Sequence, residues 1–439
     1  MPTQFDPPSG TRDFLAAEYG RRERAFAALR SVFASYGFEP LQTPAFERVD
    51  VLLGKYGDEA DKLVFKILRR GEHEASGEAD LALRYDMTVP LARVAAAYGG
   101  QLPTPYKRYA MGPVWRADRP GRGRYREFTQ CDIDILGSMS PLADAEVLCV
   151  HHDGMAALGL TDFVIRVNSR HVLAGLLEVF AVPADLGPGV LTSLDKLDKM
   201  ASAGVIDELA GRGLASGAAT DLVAAMTAED ATDGIRKALQ SSQTGQEGLE
   251  EVDRLIGLVT GQVPPGRVVF EPRMVRGLSY YTGPIWELTA AGVPGSLGGG
   301  GRYDHLIAQL GGPDVPATGS SLGVERVLML QPDHSGQAAR LDVVVTVLAD
   351  DLAERSFALA AQARSAGLRA SVYLGGSGKL GKQLRWAADQ GARWCLIYGA
   401  AEQESHAVTV RDLAAAEQEA VPAAELASYL ASKAAAADG

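Results

Sequence analysis

The chain has 439 residues, 46% of them hydrophobic and 22% charged, with a formal net charge of -12 at pH 7. That length holds two or three domains with a substantial core. The acidic balance excludes indiscriminate binding to nucleic acid but leaves room for a local basic groove. No apolar run approaches the ~18 residues of a membrane span, and MPTQFDPPSGTRDF lacks the basic-then-apolar layout of a signal peptide. Cys131, Cys149 and Cys395 are far apart, odd in number and without a CxxC pair. They predict a reducing cytoplasm, no disulfide frame and no cysteine zinc site.

Residues 16–35 carry apolar side chains at helical spacing, and Gly37 stops that helix. FEPLQTPAFE follows as an extended segment, kept from helix by Pro40 and Pro44. Strands are predicted at LVFKIL (63–68) and LALRYD (81–86). In the second, Asp86 and Thr88 lie two apart, so on a strand they would share a face and grip an ammonium or hydroxyl group together.

The run from Tyr106 to Gly137 is the most informative. Lys107, Arg108, Arg116, Arg119, Arg122, Arg124 and Arg126 gather there in an otherwise acidic protein. Apolar GPVW precedes Arg116 and alternating FTQCDIDIL (128–136) follows Arg126, which reads as strand, Pro/Gly loop, strand with a basic tip. Guanidinium forks suit phosphate and carboxylate, so this hairpin points to a polyphosphate or a nucleic-acid end.

FVIRVN (163–168) is another strand, and residues 171–262 read as a helical insertion, rich in Ala, Leu, Asp and Glu. YYTGPIWELT (280–289) is a further strand. MVRGLSYYTG brackets Tyr280 and Tyr281 between Gly277 and Gly283, and glycines 298–301 let backbone approach a flat group without Cβ interference. The same run also fits a glycine-rich hairpin with core tyrosines. In TGSSLGVERVLML (318–330) small residues enter a helix whose first turns carry Glu325 and Arg326.

QPDHSGQAARL (331–341) has linker composition, separating a unit at 1–330 from one at 342–430. The second alternates strand 343–348, helix 353–366, strand 369–374, helix 379–390, strands 393–398 and 407–412, and a last helix, a compact α/β domain. GSGKLGK (376–382) imitates a phosphate-binding loop, but Gln383 replaces the required hydroxyl residue. The adjacent His151 and His152 diverge on either a strand or a helix and predict no metal site.

In order and spacing these segments resemble the histidyl-tRNA synthetases, class II aminoacyl-tRNA synthetases, over nearly the whole chain. GTRDF (10–14) looks like the family's opening segment, and the helix ending near Pro44 like motif 1, the dimer interface. GPVWRADRPGRGRYREFTQ looks like motif 2, GSSLGVER like motif 3, and RGLSYYTG and GGGGRYDHL like the histidine-specific segments. The resemblance implies an α+β fold: a class II antiparallel sheet flanked by helices, with a helical insertion and a C-terminal α/β anticodon-binding domain. It implies a homodimer that takes L-histidine, ATP with Mg²⁺ and tRNA(His), and forms histidyl-adenylate before charging the tRNA.

By the same resemblance, Arg116 and Arg276 contact the α-phosphate and the histidine carboxylate, Arg276 standing where related enzymes use a metal. Arg326 holds the far end of ATP, with Arg124 helping at the phosphates and Mg²⁺ bridging them. Asp86, Thr88 and Gln130 take the histidine ammonium end, and Asp134, Tyr280 and Tyr281 read the imidazole. No general base is obvious from the sequence, and by the resemblance a tRNA phosphate is available to serve instead. Ser279 stands where the family usually has Asp, Gly121 where a Gln is common, and motif 2 ends in the variant CDID. Two related readings share the fold: a histidine-binding regulatory subunit of ATP phosphoribosyltransferase, and a paralogue activating histidine outside translation. The first typically lacks the anticodon domain and loses the motif arginines, both of which stand here.

Overall fold

A computed structural model describes residues 5–56, 61–71, 76–197, 200–275, 280–293, 295–331, 341–376 and 378–435. The chain divides into two compact units, Met1–Pro332 and Asp333–Gly439.

The first unit is organised on an eight-stranded sheet. In chain order its strands are β1 (Glu39–Pro40), β5 (Tyr106–Trp115), β6 (Glu127–Leu136), β7 (Val164–Ser169), β8 (Val268–Phe270), β9 (Pro284–Thr289), β10 (Gly298–Arg302) and β11 (Ala317–Gly323). Across the sheet they run β1-β5-β6-β11-β10-β9-β7-β8. All neighbours are antiparallel except the two edge pairs, β1 with β5 and β7 with β8. Three short strands, β2 (Phe46–Arg48), β3 (Lys66–Leu68) and β4 (Ala79–Leu83), form a side sheet in the order β2-β4-β3.

One face of the large sheet is apolar and covered by helices. In the helix Ala16–Ser35 the buried side chains are Arg22, Ala25, Leu29 and Phe33, three or four residues apart and so on one stripe. Gly37, at φ 77°, ends that helix, where the amides of Gly37 and Phe38 close back on Ala34 and Phe33. Leu29 and Phe33 share a core with Cys131, Ile133 and Ile135 of β6 and with Val147, Leu148 and Met155 of the helix Pro141–Ala157. That helix starts with Ser140 accepting from the Leu142 amide and a proline at its first turn. Between β7 and β8 the chain makes six α-helices among the described residues, from Arg170–Val179 to Gln243–Val259.

The second unit has a five-stranded sheet: β12 (Val343–Val345), β13 (Ala370–Val372), β14 (Trp394–Ile397), β15 (Ala407–Asp412) and β16 (Glu417–Pro422), ordered β13-β12-β14-β15-β16. The sequence reading missed β16. Its burial pattern is exposed at five of six positions, so it lacks the alternation that marks a half-buried strand. Gln383 is fully buried, and its amide pairs with both the N–H and the C=O of Val347 at 2.8 Å. The residue that breaks the phosphate-loop pattern therefore ties a helix to the end of β12.

Candidate active site

The other face of the large sheet is polar. On β6 the side chains at 130, 132 and 134 point to it, because residues two apart share a strand face. Cross-strand partners extend the surface: Asp134 lies opposite Arg108 on β5 and Gly319 on β11, and Asp132 opposite Ala110 and Ser321. A side chain at 319 would collide with the Asp134 carboxylate, and one at 112 would meet the Arg84 guanidinium at 2.8 Å. These two glycines make room for charged groups to lie flat on the sheet.

Asp134 is fully buried and doubly engaged. Its Oδ2 lies 2.8 Å from Arg108, itself fully buried, and its Oδ1 accepts from the Tyr303 hydroxyl. Arg108 also donates to the Met87 carbonyl at 3.0 Å. Tyr303 was not expected at the site, although it sits in the GGGGRYD segment. Its ring lies edge-on to Tyr280 at 5.9 Å, and Tyr280 packs on Tyr281 at 4.9 Å, so three phenols and one carboxylate form a wall. Burial raises the pKa of Tyr303, and Asp134 raises it further, keeping the phenol a donor.

Asp86 does not sit on a strand as the sequence pattern predicted. β4 ends at Leu83, and Thr88 opens the helix Thr88–Tyr98, so the two side chains do not share a strand face. The proline at position 90 favours this outcome, because proline is well placed in a first helical turn. Asp86 Oδ1 accepts from the Val89 amide at 3.1 Å and from the Tyr56 hydroxyl at 3.0 Å, which caps the turn and aims the carboxyl. Oδ2 is buried without a partner among the described residues. Burial raises the Asp86 pKa, and Arg116 pulls it back. Gln130 is also oriented: its Nε2 donates to Ser321 Oγ at 2.6 Å, leaving Oε1 buried and without a partner among the described residues.

The predicted ATP-binding arginines converge. Arg116 donates from Nε to the Tyr85 carbonyl at 3.1 Å, and its guanidinium lies 4.2 Å from the Tyr85 ring and 5.1 Å from Phe128. Arg326 donates to Gly123 O at 2.9 Å and to Ser296 O at 2.7 Å. Arg124, half-exposed, pairs with Asp118 at 2.6 Å. Burial lowers the Arg326 pKa and the charges of Arg124 and Arg116 lower it further, while Glu287 and Asp118 raise it, so the three cations lie within electrostatic reach of one another. Such a cluster is stable only when an anion arrives or water screens it. Arg302, by contrast, is spent on Asp144 at 2.7 Å and Asp304 at 3.1 Å, a buried structural role.

The segment 276–279, with Arg276, Gly277 and Ser279, lies outside the described residues. Among the described residues no three His, Cys, Asp or Glu side chains converge as metal ligands. His151 is fully buried with Nδ1 3.2 Å from Ser320 Oγ on the apolar side of the sheet. No described helix is long and apolar enough to cross a membrane.

Comparison with known proteins agrees with this architecture. Residues 10–327 match the family described as histidyl-tRNA synthetase, and residues 342–433 match an anticodon binding domain. The chain is 38% identical to a histidine–tRNA ligase of Gloeobacter violaceus, over 97% of this chain and 98% of the relative. It is 40% identical to one from Ruegeria pomeroyi, over 93% and 89%. Among solved structures, the histidyl-tRNA synthetase of Nostoc sp. PCC 7120 superposes with a TM-score of 0.76 at 30% identity, covering 98% of this chain and 100% of that one.

Proposed function

Since the chain belongs to the histidyl-tRNA synthetase family and joins histidine to tRNA, we propose that its arginine cluster holds ATP while the buried acids and tyrosines beside it hold histidine. In the first step a histidine carboxylate oxygen attacks the α-phosphorus, the bond to the β-phosphate oxygen breaks, and pyrophosphate leaves. Negative charge grows on phosphate oxygens, and positioned cations are the chief catalytic need. Arg116 suits the α-phosphate: its Nε is fixed on Tyr85 O and its ring stacking sets the plane, with both terminal nitrogens uncommitted among the described residues. Arg326 and Arg124 take the outer phosphates. Arg276 is the further cation at the reacting centre.

Asp86, Thr88 and Gln130 receive the ammonium end of histidine. Asp134, Tyr280 and Tyr281, braced by Tyr303, form the wall against which the imidazole lies. In the second step a hydroxyl of the terminal tRNA adenosine attacks the acyl carbon, AMP leaves, and the hydroxyl proton passes to a phosphate oxygen. Magnesium, arriving on the ATP phosphates, would neutralise part of their charge. Glu287 and Asp118, whose charges both reach Arg326, are described acids that would face it. The protein works as a cytoplasmic homodimer through the motif 1 region, and residues 342–430 read the tRNA anticodon.

The bond from Arg326 to Gly123 O, which draws that guanidinium onto the loop between Arg116 and Arg124, supports this reading. Histidine-dependent exchange of pyrophosphate into ATP tests it. Exchange with histidine and no other amino acid is expected, and a folded protein that binds histidine without exchange would overturn it.

A further inference from the structure

The segment GTRDF (10–14) and Arg126 of the basic hairpin are left unused by the division of labour above. They meet in the structure. β11 pairs with β6 only as far as Gly323 opposite Gln130. Beyond that point the amides leading back to the arginine loop find other partners. The Thr129 amide goes to Glu325 at 2.9 Å, and the Arg126 and Glu127 amides share the carbonyl of Gly10 at 2.8 and 3.3 Å. Gly10 is held for this contact. The Thr11 amide and hydroxyl both donate to the Pro8 carbonyl, at 2.9 and 2.7 Å, fixing a turn in which Gly10 has φ 86°. A Cβ there would lie 2.8 Å from Arg126 Cγ, so glycine suits both the backbone and the space.

Arg126 also closes the neck of the loop. Its carbonyl accepts from the Arg116 amide at 2.9 Å, and its Nε donates to the Asp118 carbonyl on the other arm at 3.1 Å. A second hold lies beside the first. The Arg12 guanidinium pairs with Glu18 at 3.4 Å and lies 4.2 Å from the ring centroid of Tyr125, in the loop, and 4.9 Å from that of Phe14. Phe14 in turn lies 4.0 Å from the Arg22 guanidinium, whose ion pair with Glu325 reaches the helix that carries Arg326. Arg326 donates to Gly123 O, back in the loop. The contacts thus run in a closed circuit from the loop, through Arg12, to Arg326 and the loop again.

We propose that residues 10–14 form a strap that positions the arginine loop for ATP, with Arg12 as its positioning residue. The inference rests on the reading of Arg116, Arg124 and Arg326 as the ATP site. A loop held at Tyr125 and Arg126 presents Gly123 and Arg124 to Arg326 and the phosphates without a further ordering cost when the nucleotide arrives. Arg12 acts through Tyr125 rather than on the nucleotide. The wall assigned to the imidazole is braced by the contacts of Tyr303 with Asp134 and Tyr280, which do not pass through the strap. Loss of the strap therefore weakens one substrate and spares the other.

Pyrophosphate exchange by the full-length protein, with ATP and histidine varied in turn, is the test. Arg12→Ala should raise KM for ATP roughly three- to tenfold, the effect of losing one partly exposed cation–π contact, and leave KM for histidine as it was. Arg12→Lys, which keeps a cation over the ring, should recover most of that loss. Tyr125→Ala should match Arg12→Ala, and the double variant should be no worse than either, since both break one contact. An unchanged KM for ATP, equal rises for both substrates, or losses that multiply in the double variant would overturn the proposal. Tyr125→Leu carries the same comparison of the two KM values if Arg12→Ala fails to fold. Absence of histidine-dependent exchange in the unsubstituted protein would overturn the functional reading itself, a separable result.

Discussion

Arg22 and Glu325, 303 residues apart, form an ion pair of 2.8 Å with both side chains buried. Thr129 completes the contact: its hydroxyl accepts from Arg22 at 2.7 Å, and its amide donates to Glu325 at 2.9 Å. The Phe14 ring covers the guanidinium at 4.0 Å. One knot therefore joins the first long helix, the start of β6 and the helix that carries Arg326. Removing one partner of a buried pair strands the other charge, at about 3–5 kcal/mol. Arg22→Ala should lower the first thermal transition clearly and weaken ATP binding through Arg326. Arg22→Leu with Glu325→Leu should recover much of the stability, as thermal scans on the single and double variants would read.

Arg326→Ala removes a guanidinium whose structural bonds go to two loop carbonyls and to no buried charge. Folding should be little affected. Adenylate formation should fall by roughly 10²–10³, the usual effect of losing one positioned donor at a charged transition state. Arg326→Lys should not rescue it, because an ammonium cannot span Gly123 O, Ser296 O and a phosphate at once. Pyrophosphate exchange on both variants measures this, with chain fluorescence as a check on folding.

Gln383→Leu should leave the Val347 N–H and C=O buried without partners, at about 1–3 kcal/mol. The loss would appear in melting of the C-terminal unit. The rate of histidine activation should stay as it was, whereas a working phosphate loop at 376–382 would lose ATP turnover.

His151 supplies a pH dependence. Burial pushes its pKa down to about 3, far below the ordinary value of 6.5. The folded protein keeps the ring neutral while the unfolded chain takes a proton below pH 6.5, so stability is lost as pH falls from 6.5 toward 3. Between pH 6.5 and pH 5 the loss from this group is about 2 kcal/mol. His151→Gln should flatten that segment of the stability curve, whatever it does to stability at pH 8. Urea unfolding at the three pH values gives the comparison.

Much of this site is written locally in the chain. The hairpin arms at β5 and β6 follow from alternation around a Pro/Gly loop, and the arginines stand out against an acidic background. Asp86 was placed on the wrong element because LALRYD alternates like a strand to its end, while the helix start is decided by Asp86 capping Val89. The contact of Asp134 with Arg108 and Tyr303 is illegible in the sequence for a different reason. It depends on strand register: β6 facing β5 on one side and β11 on the other brings 108, 134 and 319 into one row. Nothing within a short window encodes that pairing. The Arg22–Glu325 contact is invisible for the same reason, and Gln383 hides because its partner is the backbone.

The bond from Arg326 to the carbonyl of Gly123 has a thermodynamic consequence. Gly123 lies in the loop between β5 and β6, at φ 69°, in front of the Met329 sulfur. The same guanidinium is thus shared between the loop and the triphosphate that we assign to it. Whatever ATP gains from an Arg326 already fixed by the loop, the loop gains back from an Arg326 fixed by ATP, since coupling free energies are reciprocal. A tRNA end that orders the loop would tighten ATP binding by the same factor by which ATP tightens the grip on tRNA.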